Sequence, residues 1–93
     1  MKILCVCRSG YYRSVQTKKS LNKRGYNDVL SVGSDLVSRE TLDMLCDWAD
    51  IILLAKPTHG VNITTNREKI LKDFTIGDDL ETTVNKQLDR IKL

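Results

Sequence analysis

Asp50-Ile51-Ile52-Leu53-Leu54-Ala55 carries apolar residues at odd and even positions alike, and Pro57 follows two residues later. A strand with one wet face alternates apolar and polar residues. A run that is apolar at both parities is buried on both faces, as a central strand of a parallel sheet is. Proline then ends the ladder because it has no N–H to donate. Lys2 to Val6 is a shorter run of the same kind, and Asp28 to Val32 reads as another strand, stopped by Gly33. Between them, Arg13 to Arg24 contains no Gly or Pro, and Gly25 stands where a helix C-cap belongs. The apolar pattern of that segment is thin (Val15, Leu21), so its helix rests on propensity and punctuation. Ser38 caps a second helix with Glu40 in its first turn, and Leu42, Leu45, Cys46 and Ala49 share one face.

Downstream, Thr65 and Glu68 have capping-box spacing ahead of Ile70 and Leu71, which predicts a third helix. Phe74 to Ile76 is expected as a short fourth strand and Gly77-Asp78-Asp79 as a turn. Leu80, Val84, Leu88 and Ile91 stripe a last helix. The order βαβαβαβα predicts a single α/β domain over residues 1–93, three layers (α/β/α) around a four-stranded, mostly parallel sheet.

Composition narrows the function. Apolar residues are 41 % and charged residues 29 %, with signs mixed, which argues against disorder. No apolar run approaches the roughly 18 residues of a membrane span, and the N-terminal run is too short for a signal peptide. A cytoplasmic protein is expected. Three cysteines is an odd count for a disulfide framework, and His59, the one histidine, has no partner at zinc-ligand spacing. Neither a metal nor another cofactor is expected. The net charge of +3 hides an asymmetry: residues 1–27 carry seven Lys or Arg and no acid, whereas the rest carry eight basic and twelve acidic residues. A basic first third attracts an anion. Lys18, Lys19, Lys23 and Arg24 alone are equally well read as a solvated helix face. No nucleic-acid motif accompanies the charge, so nucleic acid is an unexpected partner.

The anion's place is the loop after the first strand, Cys7-Arg8-Ser9-Gly10-Tyr11-Tyr12-Arg13-Ser14. In parallel α/β sheets ligands bind beyond the carboxyl ends of the strands, where a loop meets a helix N-terminus. Backbone N–H groups wrapping toward that terminus form an anion nest, which stabilises a thiolate at its mouth. An arginine six residues after the cysteine reaches back to grip two phosphate oxygens, and the following serine hydroxyl is placed to hydrogen-bond the sulfur. Nucleophile, cradle and clamp within eight residues describe phosphoryl transfer to cysteine.

This segment resembles the phosphate-binding loop of the low-molecular-weight protein tyrosine phosphatase superfamily, in which C-x5-R-[ST] follows the first strand. Ser31-Val32-Gly33 is similar to that superfamily's Ser-Ala-Gly, and Trp48-Ala49-Asp50 before Ile51 to Leu54 to its Ala-Asp-leading strand. The similarity covers residues 2 to about 55, with looser echoes to 80, and is nearest to a compact bacterial and phage-type branch of predicted tyrosine phosphatases. The resemblance implies that Cys7 becomes a phosphocysteine and that Arg13 and the backbone of Arg8, Ser9, Gly10, Tyr11, Tyr12 and Arg13 hold the phosphoryl oxygens. It implies that Ser14 stabilises the thiolate and that an Asp after the fourth strand acts as acid and then as base. Asp78 fits that position and Asp79 is a close rival; the proline and aromatic that usually follow are absent. Gly10 stands for the usual Asn, Tyr12 for a second loop cysteine and Val15 for a proline. Cys5 is then the one local thiol on the same strand face as Cys7.

Plainer roles stand beside these. Tyr11 and Tyr12 form the pocket lip or pack over the first helix; Asp79 caps the last helix; Cys46 and Trp48 belong to the core; His59 is a solvated loop residue. The reading is a cysteine-dependent phosphomonoesterase acting on a phosphotyrosine protein or a small phosphate ester. One alternative is a phosphocysteine carrier resembling a sugar-phosphotransferase subunit, which shares Cys7, Gly10 and Ser14 but usually lacks an arginine at position 13. Another is a catalytically silent phosphate-binding module. Arsenate reduction needs a cysteine relay that Cys46, on an apolar face, serves poorly.

Overall fold

A computed structural model describes residues 1–9, 12–71 and 74–93. Strands β1 (Ile3–Cys7), β2 (Val29–Gly33) and β3 (Ile51–Leu54) form one parallel sheet in the order β2-β1-β3. Helices α1 (Arg13–Lys23), α2 (Arg39–Trp48) and α3 (Leu80–Arg90) complete the α/β fold. β1 is paired on both sides, Ile3 opposite Val29 and Ile51, Val6 opposite Val32 and Leu54. The middle place therefore belongs to β1, where the sequence pattern had favoured the Asp50–Ala55 run. Ile3–Cys7 and Ile51–Leu54 are both apolar at every position, so periodicity does not rank them; the crossovers do, because α1 returns the chain to one side of β1 and α2 carries it to the other.

The pleat of β1 divides the core. Ile3, Cys5 and Cys7 pack with Leu53, Leu21 of α1, and Val84 and Leu88 of α3. Leu4 and Val6 pack with Ile52, Leu54, Ile63, and Leu42 and Cys46 of α2. The thin apolar pattern of α1 now has its reason. Its buried face is Ser14, Thr17, Ser20 and Leu21, mostly small hydroxyl residues satisfied locally. The Thr17 hydroxyl donates to Arg13 O at 2.7 Å, and Gln16 Nε2 donates to Ser20 Oγ at 3.2 Å. Gly25 ends the helix at φ +95°, a left-handed conformation that costs glycine little.

Two expectations fail beyond β3. The Thr65–Leu71 region forms only a single 3-10 turn at Arg67–Lys69: Asn66 sits left-handed at φ 60°, and Ile70 is extended. The turn is held from outside, Arg67 Nη1 donating to Gly60 O (2.8 Å) and Ile63 O (2.6 Å) and Lys69 Nζ to Cys46 O (2.9 Å) at the end of α2. Phe74–Ile76 is not a strand, and the sheet has three strands among the described residues. Leu71 N–H donates to Ile52 O (3.0 Å) and Ile76 N–H to Ala55 O (2.9 Å). Among the described residues no helix is long and apolar enough to cross a membrane.

Arg24 fastens α3 to the end of α1. Its Nη1 donates to Asp89 Oδ1 (2.7 Å) and its Nη2 to Asn85 O (3.2 Å) and Asn85 Oδ1 (3.0 Å). The Asp89 carboxylate is 72 % exposed, so that pair alone contributes about 0–1 kcal/mol. The bonds to Asn85 lie on the half-buried side. Arg24→Ala is therefore expected to lower unfolding stability by about 1–3 kcal/mol, and Asp89→Asn by clearly less, both read by urea denaturation; equal losses contradict this account.

Candidate active site

β1 delivers Cys7 to the carboxyl edge of the sheet. Beyond it the loop is tied to the exit of β2: Ser34 N–H donates to Cys7 O at 2.8 Å and Asp35 N–H to Arg8 O at 2.9 Å. Six residues after Cys7 the chain enters α1 at Arg13. The second helical residue, Ser14, returns its hydroxyl to the strand end, with Ser14 Oγ 3.0 Å from Cys7 Sγ and both groups buried. Tyr12 at the N-cap provides no side-chain cap, and no acid stands in the first turn. The positive end of the α1 dipole is thus left uncompensated by side chains beside the thiol.

A pocket of about 110 Å³ opens at this point, lined among the described residues by Cys7, Arg8, Ser9, Tyr12, Arg13 and His59. Gly10 and Tyr11, the other expected phosphate-binding positions, lie outside the described residues. The Arg13 Nε is buried and meets no acceptor. A guanidinium in that state costs free energy that an incoming oxyanion recovers. Tyr12 is 72 % exposed, which puts it at the lip rather than over the helix. Arg8 pairs with Asp35 (Nε to Oδ2, 3.1 Å) in an exposed ion pair, and it also borders a second cavity of about 310 Å³ lined by Ser34, Asp35, Thr58 and Val61.

The two acid candidates separate. Asp79 caps α3, its Oδ1 accepting from Thr82 N at 3.4 Å. Asp78 is exposed and is not among the side chains lining the pocket. The Ile76–Ala55 bond places its turn at the same edge of the sheet as Cys7, two strand spacings or roughly 10 Å away.

His59 is the residue that sequence reasoning assigned to solvent and that the structure puts in the pocket wall. Only 6 % of it is exposed, and its Nδ1 is buried without a hydrogen-bond partner. Burial lowers its pKa from the ordinary imidazole value, and the positive charges of Arg13, Lys56 and Arg8 lower it further, with Asp35 opposing. Its placement follows from Pro57-Thr58-His59-Gly60, a 3-10 turn directly after β3. Gly60 lets that turn press on the core, since a Cβ there would stand 2.6 Å from Leu54 Cδ1. The available signal was topological: a histidine just past the carboxyl end of a buried strand.

All three cysteines are reduced and buried. Burial pushes the Cys5 thiol far up, and burial together with Asp43 raises that of Cys46. Among the described residues no group of three His, Cys, Asp or Glu side chains is placed to hold a metal ion. Comparison with protein-family models, with curated proteins and with solved structures finds no match to this chain.

Of the three thiols, only Cys7 lines the pocket. Iodoacetamide is expected to label Cys7 at least tenfold faster than Cys5 or Cys46, and inorganic phosphate to slow that labelling, as followed by peptide mass spectrometry. Even labelling of the three, or none of the phosphate protection, contradicts the pocket as described.

Proposed function

We propose that the protein is a cysteine-dependent phosphomonoesterase of the low-molecular-weight tyrosine phosphatase type, working in the cytoplasm on a phosphotyrosine protein or a small phosphate ester. The observation that carries the reading is the 3.0 Å approach of Ser14 Oγ to Cys7 Sγ in a pocket that also holds the unpartnered Nε of Arg13. Cys7 sulfur attacks phosphorus and the ester P–O bond breaks, with the departing oxygen taking a proton from Asp78. Arg13 and the loop N–H groups hold the oxygens on which charge builds. Water then attacks phosphorus, giving a proton to the Asp78 carboxylate left by the first step, and the P–S electron pair returns to Cys7 as a thiolate that Ser14 hydrogen-bonds. The cavity beyond Arg8 is where the esterified group would lie. The superfamily's finer architecture goes with this reading: α1 and α3 share one core cluster, α2 takes the other, and Leu71 and Ile76 bond to β3 and the residue after it, where a fourth strand belongs.

A second reading, a phosphate-binding module without turnover, is favoured by one observation, the exposure of Asp78 outside the pocket. Hydrolysis of p-nitrophenyl phosphate without added metal separates the two. The phosphatase reading expects turnover that Cys7→Ser abolishes, that Arg13→Ala lowers by about 10²–10³-fold, and that Asp78→Asn lowers by about 10²-fold or more. Loss with Asp79→Asn alone moves the acid by one residue. Absent turnover with saturable phosphate binding overturns the phosphatase in favour of the module.

A further inference from the structure

The Cys7 pocket is one end of a series of hollows. Arg8 borders both it and the 310 Å³ cavity, and Ser34 borders both that cavity and a third of about 190 Å³, lined by Ser34, Val37, Arg39, Leu42 and Asn62. The three follow one another at the carboxyl edge of the sheet, from the end of β1 past the exit of β2 to the start of α2. The far hollow has an apolar floor, because Leu42 is fully buried and Val37 half-buried against the same core cluster. Its polar side chains are unmatched. Ser34 is only 6 % exposed, yet its hydroxyl has no hydrogen-bond partner among the described residues. Arg39 and Asn62 are exposed, and their side chains likewise make no hydrogen bond or ion pair there. Guanidinium, amide and hydroxyl all donate, and Arg39 is the one charged group lining the hollow.

We infer that this hollow is a subsite for an acidic residue flanking the phosphotyrosine of a protein substrate. The inference rests on the phosphatase reading and narrows its substrate to a phosphotyrosine segment that carries Asp or Glu nearby. The phosphate sits with Arg13, the tyrosine ring crosses the middle hollow, and the second carboxylate meets Arg39, Asn62 and the Ser34 hydroxyl, its methylene carbon lying on Val37 and Leu42. Charge assigns the positions. The acid of the middle hollow, Asp35, is paired with Arg8 at 3.1 Å, and its carboxylate repels a second anion from that place. Val61, 78 % exposed, gives the same hollow an apolar wall that suits a ring. Glu40, in the first turn of α2, is exposed and does not line the far hollow, which leaves Arg39 unopposed within it. A small ester fills the first two hollows only, whereas a peptide chain continues into the third.

The test is steady-state hydrolysis, by the full chain, of phosphotyrosine peptides in which a single Glu is moved through the positions flanking the phosphotyrosine, each beside its Gln counterpart. Comparing Glu with Gln within one variant cancels any loss common to all substrates. At the position that reaches the far hollow, Glu is expected to raise kcat/KM over Gln by about fivefold, the scale of an exposed ion pair, and the gain to fade as salt rises. Arg39→Ala is expected to abolish the gain and Asn62→Ala to reduce it. Arg39→Glu is expected to reverse it, so that Lys is preferred where the wild type prefers Glu. No preference for Glu at any position, or one that Arg39→Ala retains, overturns the subsite while turnover of p-nitrophenyl phosphate leaves the phosphatase standing. An Arg39-dependent gain confined to small esters with a second phosphate overturns the peptide as occupant. A wild type that hydrolyses none of these substrates overturns both readings. If the Arg39 variants do not fold, a Glu gain unchanged in Asn62→Ala overturns the inference.

Discussion

The hydrogen bond between Ser14 and Cys7 is the constraint from which the rest of the site follows. It joins the last residue of the middle strand to the first turn of the first helix, so the six residues between them start and finish at fixed points. Its entry is fixed again by the bonds from Ser34 and Asp35, which tie Cys7 and Arg8 to the exit of β2. The helix reaches the sheet because its inner face is small: Ser14, Thr17 and Ser20 fill the positions where larger residues would hold it off. A hydroxyl face is a weak hydrophobic anchor, and Leu21 with the Arg24 clamp to α3 supplies what it lacks. Packing and chemistry thus use the same residues. Ser14 is both a core contact and the hydrogen-bond partner of Cys7, the proposed nucleophile.

Electrostatics are concentrated at the same edge. The acid-free first third of the chain places Arg8 and Arg13 around the pocket, and Lys56 adds a positive charge from the other side of the sheet's carboxyl edge. Such a field suits an oxyanion and disfavours a charged histidine, which lowers the His59 pKa. Cys5 lies on the same core face as Cys7, yet its burial keeps the thiol protonated and makes it a poor partner for oxidative protection.

Much of this was legible in the sequence because it is local. The three strands, the helices after Ser38 and Asp79, and the Cys7–Ser14 loop each announce themselves within ten residues. What was not legible depends on contacts distant in sequence. The middle position of β1 is decided by crossovers, not by composition. The expected helix at Thr65–Leu71 gives way to a turn because Arg67 and Lys69 find carbonyls on Gly60, Ile63 and Cys46, and Ile70 is drawn into a bridge with Ile52. Phe74 and Ile76 alternate with Thr75 as a strand would, yet they form no strand, and Ile76 reaches the sheet through its bond to Ala55 O. His59 shows no pattern at all in one dimension. It is buried because its turn packs on Leu54 and faces the loop after β1.

The central claim is that Cys7 carries a phosphoryl group during the reaction. Acid quenching within milliseconds of mixing with a phosphate ester, followed by peptide mass spectrometry, tests it most directly. The account predicts one phosphoryl group per chain on the peptide containing Cys7, and none in Cys7→Ser. A phosphoryl group on another residue, or turnover with no covalent intermediate, contradicts it.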